Sequence, residues 1–229
     1  MAVVAGVVML PSVAGAVQPP GQVPTLTAKA APSPVVFGRS TVVSGRLSRT
    51  AKDGGQTVQL QSDPFPYGVF AVGPTMLTAA NGKYAFASVR PDRNTQYRVH
   101  EMTDAMLTSN VVLVGVRLNV TFSVSDSTPS QGQRIHFSGT VRPRHGGKLV
   151  RIQRQDCAGV FRTVATTRTF NPTGKTYSRY SRFLRIFSDD VYQVRVSASD
   201  SDHYSGVSGT RFLNVPPLRL LPRPVCGGG

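Results

Sequence analysis

The chain has no tryptophan, two cysteines and only 11 acidic residues among 229. Two cysteines cannot supply the dense disulfide framework that holds small secreted domains together, so a core must rest on aliphatic packing. With 26 Lys and Arg against those 11 acids the net charge is +15, although only 16% of residues are charged. The chain is basic because acids are scarce, not because it is crowded with charge. Low charge and 40% apolar residues exclude a wholly disordered chain. Long helices are excluded by 22 Gly and 17 Pro, which break the chain too often. HExxH, GxSxG, the P-loop and the dinucleotide-binding glycines are all missing. The four histidines, His100, His136, His145 and His203, are scattered. No residue is assigned to catalysis, and neither an enzyme activity nor a cofactor is expected.

What is present begins at the N-terminus. No charged residue occurs from Met1 to Ala28, Ala2 to Leu10 is apolar, and Ala14-Gly15-Ala16 follows as a small-x-small site. This pattern predicts a secretory signal over residues 1–16 and a mature chain starting near Val17, although no Lys or Arg precedes the apolar run. An uncleaved anchor is the weaker alternative. The run is about half of the ~20 residues a spanning helix needs, and Pro11, Pro19 and Pro20 interrupt it. The mature chain is therefore expected to be secreted or at the cell surface, without a transmembrane helix.

A repeat organises the rest. Phe37-Gly38-Arg39-Ser40-Thr41-Val42-Val43-Ser44-Gly45 is echoed by Gln131-Gly132-Gln133-Arg134-Ile135-His136-Phe137-Ser138-Gly139. Gly54-Gly55-Gln56-Thr57-Val58-Gln59-Leu60-Gln61 is echoed by Gly146-Gly147-Lys148-Leu149-Val150-Arg151-Ile152-Gln153. Gly82-Lys83 then matches Gly174-Lys175, and Tyr97-Arg98-Val99 matches Tyr192-Gln193-Val194. Anchors recurring in one order predict two tandem modules, 17–116 and 117–215, followed by a flexible tail at 216–229. Apolar residues alternate with polar ones at Val58 and Leu60, at Val150 and Ile152, and along Leu118, Val120, Phe122 and Val124, as in strands with one buried face. The stretch carrying Tyr177, Tyr180, Phe183, Leu184 and Phe187 also fits a helical stripe. It reads as strand because its counterpart, Lys83 to Val89, alternates. About seven strands per module point to an all-β fold of two tandem sandwiches.

These motifs resemble the immunoglobulin-like tandem repeats of secreted and surface proteins of bacteria, across about residues 24 to 215. The resemblance rests on Ser44-Gly45 and Ser138-Gly139, the Val-x-Leu/Ile-Gln strands, the Gly-Lys turns and the Tyr-x-Val strands. It implies immunoglobulin-like β-sandwiches serving as a spacer or adhesion module. Tyr97 and Tyr192 occupy the place of a tyrosine corner, with a plain core tyrosine as the alternative. The paired core cysteines and tryptophan of antibody domains are absent. The join between Val111 and Val124 carries no linker composition beyond Gly115, so the modules are expected end to end and stiffly held.

Three features invite a ligand. Residues 117–229 carry a net charge of +11 against +4 for residues 1–116, and Arg151, Arg162, Arg168, Arg179, Arg182 and Arg185 are candidate residues for gripping an anionic envelope polymer or polysaccharide. An arginine-rich surface with no ligand is the competing reading. A surface protein is a further candidate partner, and nucleic acid ranks lowest because no aromatic platform interleaves the arginines. Asp200-Ser201-Asp202-His203 has oxygens for a cation such as Ca²⁺. The expectation is a polar loop and no metal, since Glu101-Met102-Thr103-Asp104 does not repeat the ligands. Cys157 and Cys226 are candidates for one disulfide pinning the tail, against two free thiols or a bond between chains.

Overall fold

The computed structural model describes residues 23–49, 52–103, 107–198 and 200–216. The expected signal segment, Cys226 and all of the tail except Pro216 lie outside the described residues. Every helix or strand element among the described residues is a strand.

The first sandwich is built from β1 (Thr25–Ala31), β2 (Val35–Val36), β3 (Thr41–Ser48), β4 (Thr57–Pro64), β5 (Ala71–Leu77), β6 (Lys83–Val89), β7 (Thr95–Glu101), β8 (Val112–Val114) and β9 (Val116–Arg117). One sheet has the order β1-β3-β6 and the other β5-β4-β7-β8, while β2 and β9 form a short parallel pair. The second sandwich uses β10 (Asn119–Val120), β11 (Ser123–Val124), β12 (Gln133–Arg142), β13 (Leu149–Gln155), β14 (Phe161–Arg168), β15 (Ser178–Ile186), β16 (Asp190–Val196), β17 (Gly206–Val207) and β18 (Arg211–Leu213). Here β12 carries β10 and β11 on one side and β15 on the other. The facing sheet runs β14-β13-β16, with β17 and β18 both on β16. The two halves thus share one plan, and the ambiguous stretch is the strand β15.

Period-two burial decides which residues form each core. Val58, Leu60, Tyr97 and Val99 are buried between the first pair of sheets, and Val150, Ile152, Tyr192 and Val194 between the second. One apolar cluster runs from Leu26 to Val116 and a separate one from Leu118 to Val215. The chain therefore passes from one core to the other across Arg117 alone.

The repeated Ser-Gly pair has a packing reason. Gly45 on β3 lies opposite Tyr84 on β6, and Gly139 on β12 lies opposite Tyr180 on β15. Each tyrosine crosses its glycine and donates its hydroxyl to a carbonyl beyond it, Tyr84 to Thr27 and Tyr180 to Thr121. A Cβ on Gly139 would stand 2.0 Å from the Thr121 oxygen and 2.4 Å from the Tyr180 hydroxyl, so no side chain fits. For Tyr97 and Tyr192 the alternatives were a corner bond of this kind and a plain core tyrosine. Both are buried core tyrosines on β7 and β16, and the cross-strand bonds are made by Tyr84 and Tyr180.

Each module also closes on the residue preceding its Tyr-x-Val strand. The Val116 N–H donates to Asn94 Oδ1 at 2.7 Å, and the Val215 N–H donates to Asp189 Oδ1 at 2.6 Å. Asp190 accepts from Ser188 Oγ at 2.7 Å and pairs with Arg154 at 3.5 Å. Asp189 and Asp190 are therefore both structural.

Candidate functional site

The junction between the sandwiches is held by hydrogen bonds from both modules. Asn94, buried just before β7, donates through Nδ2 to the Ser201 carbonyl at 2.8 Å and through its backbone N–H to the Asp202 carbonyl at 2.7 Å. Tyr204 donates its N–H to the Val116 carbonyl at 2.7 Å, and Leu118 donates to the Tyr204 carbonyl at 3.0 Å. Gly115 lies against the Tyr204 ring, where a Cβ would come within 2.3 Å of it. Phe37 approaches the His203 ring with centroids 6.4 Å apart. The loop after β16 in the second sandwich is thus clamped by the first.

That loop carries the cluster. His203 is 4% exposed and makes a 2.8 Å hydrogen bond from Nε2 to the Asp92 carbonyl. A carbonyl only accepts, so Nε2 bears the proton and, in the neutral ring, Nδ1 is left with its lone pair. His145 comes from the Arg144-His145-Gly146-Gly147 turn between β12 and β13. Its backbone N–H bonds Ser178 Oγ at 2.7 Å, and its own carbonyl accepts from Thr169 Oγ1. Its ring is 9% exposed, and Nδ1 lies 3.2 Å from the Pro143 carbonyl, which by the same reasoning leaves Nε2 as the acceptor. The two rings meet edge to face, centroids 4.8 Å apart.

Both acceptor nitrogens point at carboxylates. His145 Nε2 lies 3.5 Å from Asp200 Oδ2 and 3.9 Å from Asp202 Oδ1, and His203 Nδ1 lies 3.1 Å from Asp202 Oδ1. Although close, His203 Nδ1 and Asp202 Oδ1 are not aligned for a hydrogen bond, and both are buried without one, as is Asp200 Oδ1. Lys148 Nζ holds the other Asp200 oxygen at 2.6 Å. Burial pushes the pKa of Asp202 up, but contact with Asp200 and His203 and the charge available on the two imidazoles outweigh it, holding it down at about 2. His203 lies in the polar loop expected there and is buried in the junction. Its companion His145 lies 58 positions earlier, so no local motif contained the set.

The candidate arginines do not form one face. Arg162 and Arg168 lie on β14, and Arg179, Arg182 and Arg185 on β15. These are edge strands of opposite sheets running side by side, linked by a 3.2 Å bond from Thr167 Oγ1 to the Ser181 carbonyl. Alternation puts Arg179 and Arg185 on the outer face, and puts Arg182 in phase with the buried Tyr180 and Ile186. Arg182 escapes to solvent only because β15 is an edge. Arg162 is engaged by Asp156 at 3.0 Å, Arg168 donates to the Gly147 carbonyl at 2.8 Å, Arg185 donates to the Gly132 carbonyl at 3.1 Å, and Arg151 is held by Ser197 Oγ. Aromatic rings do interleave the cations here, contrary to expectation. Arg134 sits 4.4 Å over Phe183, and Arg142 and Arg179 flank Tyr177 at 5.3 and 5.7 Å. Cys157 is exposed in the turn between β13 and β14, and its candidate partner Cys226 lies outside the described residues.

No protein-family model matches the chain, and no curated protein matches it. Among solved structures it is similar to a tetra-tandem repeat in the extending region of a large adhesion protein, at 18% identity and a TM-score of 0.36. The match covers 83% of this chain and 49% of that one, so the chain spans about half the length of that structure.

Proposed function

We propose that this chain is a non-enzymatic, exported protein whose two immunoglobulin-like modules, 17–116 and 117–215, act as a stiff spacer or adhesion element at the cell surface or in the medium. The observation that carries the reading is the junction. Asn94 donates to the Ser201 and Asp202 carbonyls and the Val116 carbonyl accepts from the Tyr204 N–H, bonds that tie the two sandwiches directly where a mere tether would carry a flexible linker. A held junction transmits direction as well as distance, which is what an extending element requires. N-terminal sequencing of the protein recovered outside the cell tests the reading, with a mature start near Val17 expected. Recovery of an intact intracellular chain beginning at Met1 would remove it.

A second reading is favoured by the outer face of β12 and β15, where Arg134, Arg142 and Arg179 alternate with Phe183 and Tyr177. Such a face suits an anionic cell-envelope polymer or polysaccharide, with arginine supplying charge and the rings a stacking surface. Retention on a heparin matrix beyond that of an Arg134→Ser/Arg179→Ser variant is the expected result, and equal retention argues for the spacer alone. In an oxidising compartment Cys157 and Cys226 are proposed to join within one chain. A linked peptide in unreduced protein is the expected product, whereas alkylation of both thiols without reduction would exclude the bond.

A further inference from the structure

We propose that His145, Asp200, Asp202 and His203 form a binding site for a divalent transition-metal ion, Zn²⁺ by donor chemistry, which locks the loop gripping the first module. The four donor groups converge so that their ligand atoms all lie within 4.8 Å of one another. Ligands at about 2.0–2.2 Å from a tetrahedral ion are about 3.4 Å apart. The 3.1, 3.5 and 3.9 Å separations around His145 and His203 bracket that value, so small side-chain adjustments bring the set to coordination distance.

Three independent features point to an ion and not simply to a polar cluster. First, each imidazole is already fixed from behind by a backbone carbonyl, Asp92 for His203 and Pro143 for His145. This is the arrangement by which metal-ligating histidines are oriented and their tautomers set. Second, His203 Nδ1 and Asp202 Oδ1, 3.1 Å apart, are both buried with no hydrogen bond. Buried polar atoms without hydrogen bonds are costly, and an ion between them satisfies both at once. Third, Asp200 Oδ2, the oxygen 3.5 Å from His145 Nε2, is also held by Lys148 Nζ at 2.6 Å, and a carboxylate oxygen has lone pairs for both the ammonium and an ion, so the existing salt bridge need not break.

The donor set also selects the ion. Two imidazoles and two carboxylates suit Zn²⁺ and its first-row neighbours, whereas Ca²⁺ takes six to eight oxygens and has no use for the nitrogens. Both aspartate side chains are about a quarter exposed, which leaves the ion a way in. Once bound, it would join the β12–β13 turn to the loop whose Ser201, Asp202 and Tyr204 hold Asn94, Val116 and Leu118.

The test is calorimetric titration of the metal-stripped, untagged full-length chain with Zn²⁺, with Co²⁺ absorption and a thermal melt as further readouts. Saturation at one ion per chain is expected, together with the intense visible bands of tetrahedral Co²⁺ and a raised melting temperature that Ca²⁺ does not reproduce. His145→Ala, which leaves the hydrogen bonds of Asn94 and Tyr204 across the junction in place, should weaken Zn²⁺ binding more than tenfold while the circular dichroism is unchanged. Asp200→Asn provides the same comparison should the histidine variant fold poorly. Absence of saturable binding by the native chain, or native affinity in both variants, overturns the site. The inference stands apart from the spacer reading: zinc affinity is unaffected by where the protein is found, and the export test by zinc.

Discussion

Tyr180 lies across Gly139 and reaches the Thr121 carbonyl at 2.6 Å, a contact that exists because position 139 has no side chain. Tyr84 and Gly45 repeat it in the first module. One aromatic side chain thereby reaches across the strand beside it, fastening the segment that opens each sandwich, β1 in the first and the link between β10 and β11 in the second, to the two strands behind it.

Gly139→Ala should therefore destabilise the second module by about 2 to 4 kcal/mol, combining overpacking with loss of the tyrosine hydrogen bond. Gly209→Ala, where an added Cβ meets nothing within 4 Å, should be close to neutral. Denaturant melts of the pair check this, and equal midpoints would show that the tyrosine and glycine are not coupled.

Val150 is fully buried on β13. Val150→Asp places a carboxylate in a dry core at a cost of several kcal/mol, comparable with the whole stability of a small domain. Loss of the second module's cooperative melt is expected, and a variant that melts like the parent would contradict the assignment of the core.

Asn94→Ala removes the donor to Ser201 and the acceptor for Val116 together. Leaving the buried Val116 N–H unpaired costs about 1 to 3 kcal/mol. The melt should separate into two transitions, and small-angle scattering should report a broader spread of inter-module angles. An unchanged scattering profile would assign the stiffness to other contacts.

Burial raises the pKa of Tyr97 and Tyr192 to about 12 and pushes Tyr84 and Tyr180 up further. In the unfolded chain tyrosine titrates near about 10. These four groups therefore contribute stability that is fully present below pH ~10 and is lost as pH rises through their folded values. The melting temperature should fall steeply between about pH 10 and 12, with late tyrosinate absorbance accompanying unfolding. Complete tyrosine ionisation near pH 10 with unchanged circular dichroism would contradict the burial.

The modules were legible in the sequence because strands with one buried face write themselves as alternation. The Val58/Leu60 and Val150/Ile152 patterns are direct readouts of which side faces the core. The Ser-Gly anchors were visible as a repeat but not as a cause, since the tyrosines that require them lie 39 and 41 positions later. The histidine–aspartate cluster was half visible. Asp200, Asp202 and His203 are neighbours in sequence, but His145 joins them only through the fold, and the Asp92 carbonyl that orients His203 belongs to the other module. Mere polarity suggested a solvated loop, and only the docking of that loop against the first sandwich buries it. Whether the arginines share a face was not legible for a similar reason. Counting along strands says which side a residue takes within one sheet and nothing about which sheet its neighbour occupies.

Asn94 and Asp189 occupy matching places, each receiving the N–H of the valine with which its module ends. They differ in one respect that the first module exploits: an amide both accepts and donates, whereas a carboxylate only accepts. At Val116 the spare amide hydrogens reach forward and grasp the Ser201 carbonyl. The side chain at Val215 has no such hydrogens. The two module ends are therefore not interchangeable parts: the first carries its own means of holding a neighbour's carbonyl, and the same position in the second, being an acid, cannot hold a carbonyl at all.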